Sequence, residues 1–256
     1  MDLGIKGKVA IVTGSSSGMG NAVAQRLAEE GCRLVMFART PERLSRAAND
    51  IRSRSRAEVV SVSGDMTSAA DVERLVAETT SAFGGPDILV LNTGRPPLGM
   101  REVLAETDDA RWEDAYRTML WSGVIVMRRV VPLMVARGWG RVIGLTTASV
   151  KQPMKNHALS TVYRAGLTAV LKHLAIENAA KGVTVNMVCP ASVATDSFRA
   201  YWGNHGVDER AKQVPVGRFG RPEELAATVA FLASDWAGFI TGESVHVDGG
   251  MIASLN

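Results

Sequence analysis

Lys8-Val-Ala-Ile-Val-Thr13-Gly14-Ser15-Ser16-Ser17-Gly18-Met19-Gly20 is the stretch that decides how this chain folds. Its continuous apolar centre, Val9 to Val12, suits a strand covered on both faces. Glycines follow at 14, 18 and 20. Val23, Ala24, Leu27 and Ala28 then share one face of a helix expected from Met19 to Glu30. Strand, glycine turn and helix in this order make a phosphate-binding element. Glycine serves where the backbone takes a positive φ or must approach a ligand closely. The helix presents unpaired N–H groups and its positive dipole end to a pyrophosphate. Ser15, Ser16 and Ser17 bring hydroxyl donors to the turn, and Met19 lies within it.

Outward from this element the same alternation continues. Strands are expected at Arg33 to Ala38, Val59 to Val62, Asp87 to Leu91, Arg141 to Leu145, Val183 to Val188 and Glu243 to Val247. Helices are expected from Thr40-Pro41, over Thr67 to Phe83, from about Asp108 to Ala136, from about Ala158 to Ala180, and from Pro222 to Ser234. Thr40 reads as an N-cap with Pro41 at the first helical position. Strict alternation predicts a doubly wound, Rossmann-type α/β fold, a parallel sheet with helices on both faces. No linker, repeat or low-complexity tract interrupts residues 1–256, which read as a single domain.

Composition narrows the function. The chain has 256 residues, is 46% hydrophobic and carries a net charge of +3, without the concentrated basic surface of a nucleic-acid binder. Arg52, Arg54 and Arg56 alternate with serines and read as a solvated helix end. Cys32 and Cys189 are too few for a disulfide framework and read as buried apolar thiols. The N-terminus has no apolar signal region, and Arg128 and Arg129 interrupt the longest apolar helix. The expectation is a soluble cytoplasmic protein that engages neither membrane nor nucleic acid.

The end of the second strand speaks to the ligand. An acidic residue there would bind an adenosine ribose 2′-hydroxyl, but the chain reads Ala38-Arg39. A fixed guanidinium suits a 2′-phosphate, so NADP(H) is expected in preference to NAD(H). Asp65, after the third strand, is placed either to accept from the adenine amino group or to cap the next helix.

With Thr13-Gly14-x-x-x-Gly18-x-Gly20 in place, the chain resembles the short-chain dehydrogenase/reductases, nearest their 3-oxoacyl-[acyl-carrier-protein] reductase-like branch. Gly64-Asp65-Met66-Thr67 resembles the family's adenine-contact turn. Leu91-Asn92-Thr93-Gly94 resembles its Asn-Ala-Gly motif, with Thr93 in place of Ala. Pro190-Ala191-Ser192-Val193-Ala194-Thr195 resembles its Pro-Gly segment, with Ala191 in place of Gly. The resemblance implies that Val193 and Thr195 hold the nicotinamide amide. It further implies that a segment at about 191–220, carrying Phe198, Tyr201, Trp202 and His205, is a lid. An aromatic lid suits an apolar or ring-shaped small molecule. Family members form dimers or tetramers through the two long helices and the last strand, so a homodimer or homotetramer is expected.

The family's chemistry uses Asn, Ser, Tyr and Lys. Aligning on Ala165-Gly166-Leu167 puts Arg164 at the Lys position, Ser160 at Tyr, Thr147 at Ser and Met119 at Asn. Thr147 keeps a hydroxyl. Arg164 keeps a charge that can hold a ribose but cannot pass a proton on. Met119 cuts the relay, and Ser160 is a far weaker acid than a phenol. Substitute donors are Tyr163, three residues after Ser160, with His157, Lys151 and Lys155. Three functions stay open: an atypical NADP(H)-dependent oxidoreductase acting on a carbonyl/alcohol pair, a non-redox dehydratase or isomerase, and an inactive NADP(H)-binding pseudo-reductase. No metal-ligand cluster is evident.

Overall fold

In the computed structural model, which describes residues 1–195, 198, 209 and 211–255, β1 (Val9–Thr13) is buried at all five positions. It is followed by α1 (Gly18–Glu29), β2 (Arg33–Ala38), α2 (Pro41–Ser55), β3 (Val59–Ser63), α3 (Ala69–Phe83) and β4 (Ile88–Asn92). A long loop leads to α4 (Asp109–Ala115), a π-helical turn (Tyr116–Trp121) and α5 (Ser122–Ala136), which form one continuous rod. Then come β5 (Gly140–Leu145), α6 (Ala158–Asn178), β6 (Val183–Pro190), α7 (Pro222–Ala233) and β7 (Ser244–Val247).

The seven strands lie in the order β3-β2-β1-β4-β5-β6-β7, and every pairing is parallel. Strand alternation feeds two cores. Ala10, Val12, Ile88 and Val90 face α1, α2 and α7, where Val23, Leu27, Leu44 and Val229 pack. Val9, Ile11, Leu89 and Leu91 face α3, α5 and α6, where Leu75, Val126, Val130 and Leu171 pack. With both faces covered, a strand gains nothing from polar residues, which is why β1 and β4 read as unbroken apolar runs. The winding reverses between β1 and β4, and ligands of open parallel sheets bind in the crevice beyond such a switch.

Three expectations need correction. Thr40 does occupy the N-cap of α2 ahead of Pro41, but its side chain makes no capping bond. Arg128 and Arg129 do not break the apolar rod, which runs unbroken over Asp109–Ala136 and has the length and hydropathy of a membrane span. Half of its most apolar stretch is buried. Ile125, Val126, Val130 and Met134 pack in the α3/α5/α6 core, so the apolar content belongs to that core. The basic end of α2 is not wholly solvated, because Arg52 donates to the Val59 carbonyl at 2.6 Å. Both thiols are buried as expected, and burial pushes Cys32 up to about 12.

Candidate active site

The site is assembled where the strands end. Thr13, fully buried at the tip of β1, donates its hydroxyl to the Asn92 carbonyl at 3.1 Å and accepts the Asn92 N–H at 2.9 Å. Asn92 Nδ2 in turn donates to the Gly14 carbonyl at 3.3 Å. The tips of β1 and β4 are thereby fixed to the glycine turn. Gly14 and Gly18 hold φ of +59° and +58°, a region that side chains resist. Gly20 is required for space, since a Cβ there would lie 2.4 Å from the Gly14 carbonyl oxygen. The N-terminus of α1 begins at an extended Ser17, with no side-chain cap and no acidic residue in its first turn. Its donors and its dipole are left for an anion.

Ser16 is half-buried and Ser17 exposed, but Ser15 is turned inward, its hydroxyl directed at the Phe37 carbonyl at 3.5 Å. Ser15 therefore contributes packing at the turn and no outward hydroxyl. Met19 packs against the α1/α2/α7 core. Arg39 is exposed at the end of β2 and bonds to none of the described residues, leaving its fork free for a phosphate. Asp65 does not cap α3, which Ser68 caps. One carboxylate oxygen of Asp65 accepts both the N–H and the hydroxyl of Thr67 at 2.8 Å. Met66 packs partly into the α3/α5/α6 core. Across the crevice stand Pro190 at the end of β6, Ala191, and Val193, which is bridged to Gly220. The Thr195 methyl group lies 3.5 Å from where a Gly18 Cβ would be. The residues for a dinucleotide thus converge on one line of strand ends and fit the group.

Beyond Asn92 the floor of the site depends on Gly94. Its N–H donates to the Thr118 carbonyl at 3.1 Å, inside the π-helical turn. Widening the helix there turns a main-chain carbonyl toward β4, a usual reason for such turns near functional sites. A Cβ on Gly94 would meet that carbonyl at 3.1 Å. The Gly94 carbonyl accepts from Arg164 at 3.2 Å, and the second arm of the same guanidinium reaches the Leu145 carbonyl at 2.9 Å. Arg164 is only 8% exposed and has no carboxylate partner among the described residues. Burial lowers it to about 10, the nearby Cys189 thiol partly offsetting this. The fork engages two carbonyls on separate strand ends at once, one with each arm.

Ser160, one turn before Arg164 on the same face, is 5% exposed, and its hydroxyl bonds to none of the described residues. Thr147 caps a short 3-10 turn, Ala148–Val150, and accepts from the Ser149 N–H at 3.4 Å. Met119 is fully buried against Ala115 and Leu159, so no relay passes through it. Tyr163 lies in an aromatic cluster, its ring centroid 6.0 Å from Trp112 and 6.2 Å from Tyr116, and burial raises its phenol. The three-residue offset from Ser160 turns its ring to α4. His157 sits at the start of α6 with Nδ1 2.9 Å from the Lys155 carbonyl oxygen. Lys151 and Lys155 are exposed.

Sequence reading missed the strap that covers this floor. Arg101 offers its carbonyl to the Ala158 N–H, and Glu102 accepts the Asn156 N–H at 2.8 Å, so the β4–α4 loop caps the start of α6. Glu106, with no exposed side-chain surface, fixes that loop through Arg111 at 2.6 and 3.1 Å. The charged run Arg101-Glu102 beside Glu106 was its only sequence signal. Of the residues expected in a lid, Phe198 packs edge-on against Phe219 at 5.1 Å, whereas Tyr201, Trp202 and His205 lie outside the described residues.

A seven-stranded parallel sheet with glycine turn and switch-point crevice defines a Rossmann-type protein. Comparison makes this specific. The family described as enoyl-(acyl carrier protein) reductase matches residues 14–252. The chain is 37% identical to the 3-oxoacyl-[acyl-carrier-protein] reductase FabG of Escherichia coli over 254 residues, 97% of this chain and 99% of the relative. Identity to its Aquifex aeolicus counterpart is 32%, over 98% and 100% of the two chains. Among solved structures, L-sorbose reductase from Gluconobacter frateurii, complexed with NADPH and L-sorbose, superposes with a TM-score of 0.94 at 34% identity, over 100% of both chains. An actinorhodin polyketide ketoreductase with NADPH gives 0.90 at 32% identity, over 97% and 98%. The chain belongs to the short-chain dehydrogenase/reductase family of oxidoreductases, in its 3-oxoacyl reductase-like branch.

Proposed function

We propose that this protein is an NADP(H)-dependent oxidoreductase acting on a carbonyl/alcohol pair of a small, apolar or aromatic molecule, with an atypical proton donor. The observation that carries the reading is the nucleotide cradle: an uncapped α1, glycines at 14 and 20 packed on Asn92 with Gly18 facing Thr195, and an Arg39 at the end of β2 that bonds to none of the described residues. Reductases named for NADPH complexes among its structural relatives support it. The cofactor, when bound, supplies or accepts a hydride. Gly14 to Gly20 would hold its pyrophosphate, Arg39 its 2′-phosphate and Asp65 with Met66 its adenine. Asn92, Thr93 and Gly94 would line its path, and Pro190, Ala191, Val193 and Thr195 its nicotinamide. Thr147 and Ser160 would orient the substrate oxygen, and Arg164 would keep the β4 and β5 tips in place. A second copy covers the apolar groove between α5 and α6, giving a homodimer or homotetramer.

The test is NADPH oxidation over a panel of ketones, 3-oxoacyl thioesters and quinones, beside fluorescence titrations with NADPH and NADH. Turnover of one carbonyl class with tighter NADPH binding is expected. Binding of neither nucleotide overturns the reading. A second reading, NADP(H) binding without turnover, is favoured by the burial of Met119 and the lack of a phenol at Ser160. Tight NADPH binding with no oxidation across the panel would select it.

A further inference from the structure

We infer that Thr147, Ser149 and Thr161 form a hydroxyl row that carries the proton of the carbonyl/alcohol reaction, in place of the phenol that Ser160 does not supply. The inference rests on the oxidoreductase reading above. Thr161 Oγ1 donates to Ser149 Oγ at 3.0 Å, and Ser149 Oγ donates to Thr147 Oγ1 at 3.4 Å. Thr147 Oγ1 also accepts the Ser149 N–H. With two donors directed at its oxygen, the Thr147 hydroxyl has its own proton left to give, and no described residue accepts it. Ser149 is fully buried, whereas Thr147 and Thr161 are half-buried. The row is dry in the middle and open at both ends.

Local structure does not account for this arrangement. A threonine inside a helix ordinarily returns its hydroxyl to the carbonyl four residues back. Thr79, Thr118 and Thr168 all do so here, at 2.7, 2.7 and 2.8 Å. Thr161 does not: its N–H takes the His157 carbonyl, but its hydroxyl crosses to Ser149, twelve residues away in the preceding turn. The turn bond from Ser149 N–H to Thr147 explains the Thr147 oxygen and nothing of the link to α6. Of the other candidate donors, Tyr163 packs its ring in an aromatic cluster and His157 turns Nδ1 to a main-chain carbonyl.

Two electrons reach the carbonyl carbon as hydride from a reduced nicotinamide dinucleotide, which is thereby oxidised. The C=O π pair moves onto oxygen. The Thr147 O–H bond breaks and its proton goes to that oxygen, Ser149 reprotonates Thr147, and Thr161 reprotonates Ser149. Water at the open Thr161 end restores the last proton, and the hydroxide left is neutralised in bulk solvent. The secondary alcohol formed and the aliphatic hydroxyls of the row have matched acidity, so each transfer from hydroxyl to alkoxide runs nearly level. Alcohol oxidation runs the row in reverse.

Thr161→Val removes the entry hydroxyl at nearly constant shape, and Thr161→Ser keeps it. Both are compared with wild type in steady-state carbonyl reduction, solvent deuterium isotope effect, NADPH titration and thermal melting. Thr161→Val is expected to lower kcat by about ten- to a hundredfold, at or below the usual worth of general acid assistance. KM, NADPH affinity and melting temperature stay at wild-type values, and the isotope effect changes. Thr161→Ser returns kcat toward wild type. Wild-type turnover that is equal in Thr161→Val overturns the row and leaves the oxidoreductase reading standing. Wild-type protein that binds NADPH but turns over no carbonyl overturns both.

Discussion

Arg164 occupies a place where a charge is expensive. Holding a guanidinium at about 10 instead of 12.5 costs about 3 kcal/mol. Removing it would leave the Leu145 and Gly94 carbonyls without that donor, and an unsatisfied buried carbonyl costs about 1–3 kcal/mol. These terms nearly cancel. Arg164→Met is therefore expected to change the unfolding free energy by no more than about 3 kcal/mol, while NADPH affinity falls because the β4 tip loses its clamp. Denaturant unfolding and fluorescence titration separate the two. A large loss of stability with unchanged affinity would contradict the clamp. Tyr163 gives the opposite case. Its phenol hydrogen-bonds to none of the described residues and its ring packs on Trp112 and Tyr116. Tyr163→Phe should leave kcat and melting temperature unchanged, and a tenfold loss of kcat would restore Tyr163 as a donor. The substitutions at 119, 147, 160 and 164 were legible from residue identity and spacing. The partners of those side chains were not, because a hydroxyl twelve residues distant carries no periodic signal.

Elements were more legible than partners where one physical rule dominated. β1 and β4 announce themselves because burial on both faces favours apolar choices along their length. The π-helical turn did not, since Tyr116–Trp121 keeps helical periodicity and differs only in which carbonyl escapes the ladder. The start of α1 shows a competition that sequence alone settles wrongly. Alanine is a better helix former than glycine by about 1 kcal/mol, so Gly20→Ala ought to stabilise α1. A Cβ 2.4 Å from the Gly14 oxygen and 2.8 Å from Asn92 Nδ2 must instead push the turn off β4. Lower melting temperature and weaker NADPH binding are expected. The start of α7 carries a different load. Glu224 accepts the Arg218 fork at 2.7 and 2.9 Å and the Arg221 N–H at 2.8 Å. The Arg218 bonds foremost, then the Arg221 N–H, hold its carboxyl at about 2 against an ordinary 4.5. A depressed folded value means this stabilisation is present above pH 4.5 and is lost as pH falls toward about 2. The melting-temperature gap between wild type and Glu224→Gln should close over that range. A gap that persists at the acid end would contradict the ion pair as its source.

At the scale of the whole molecule, the two-faced sheet explains why one surface is left incomplete. α5 and α6 each spend one side on the sheet, through Val126, Val130, Leu167 and Leu171. Their remaining apolar residues, among them Val124, Met127, Val131 and Val170, line a groove of about 500 Å³. That groove is separate from the strand-end crevice. Its apolar lining lies beside Arg128 and Glu177, and the exposed Ile176 stands on the same helix. Water at such a surface is released when a second copy covers it, in proportion to the apolar area removed. Val170→Lys places an ammonium in the groove without touching the crevice. Desolvating that charge in a self-contact is expected to weaken association at least about tenfold, equivalent to 1.4 kcal/mol. Sedimentation velocity over a concentration series should show wild-type protein as dimer or tetramer and the variant shifted to smaller species, with NADPH affinity retained. If the variant keeps the wild-type mass at every concentration, the α5/α6 groove is not the contact and assembly runs through another face.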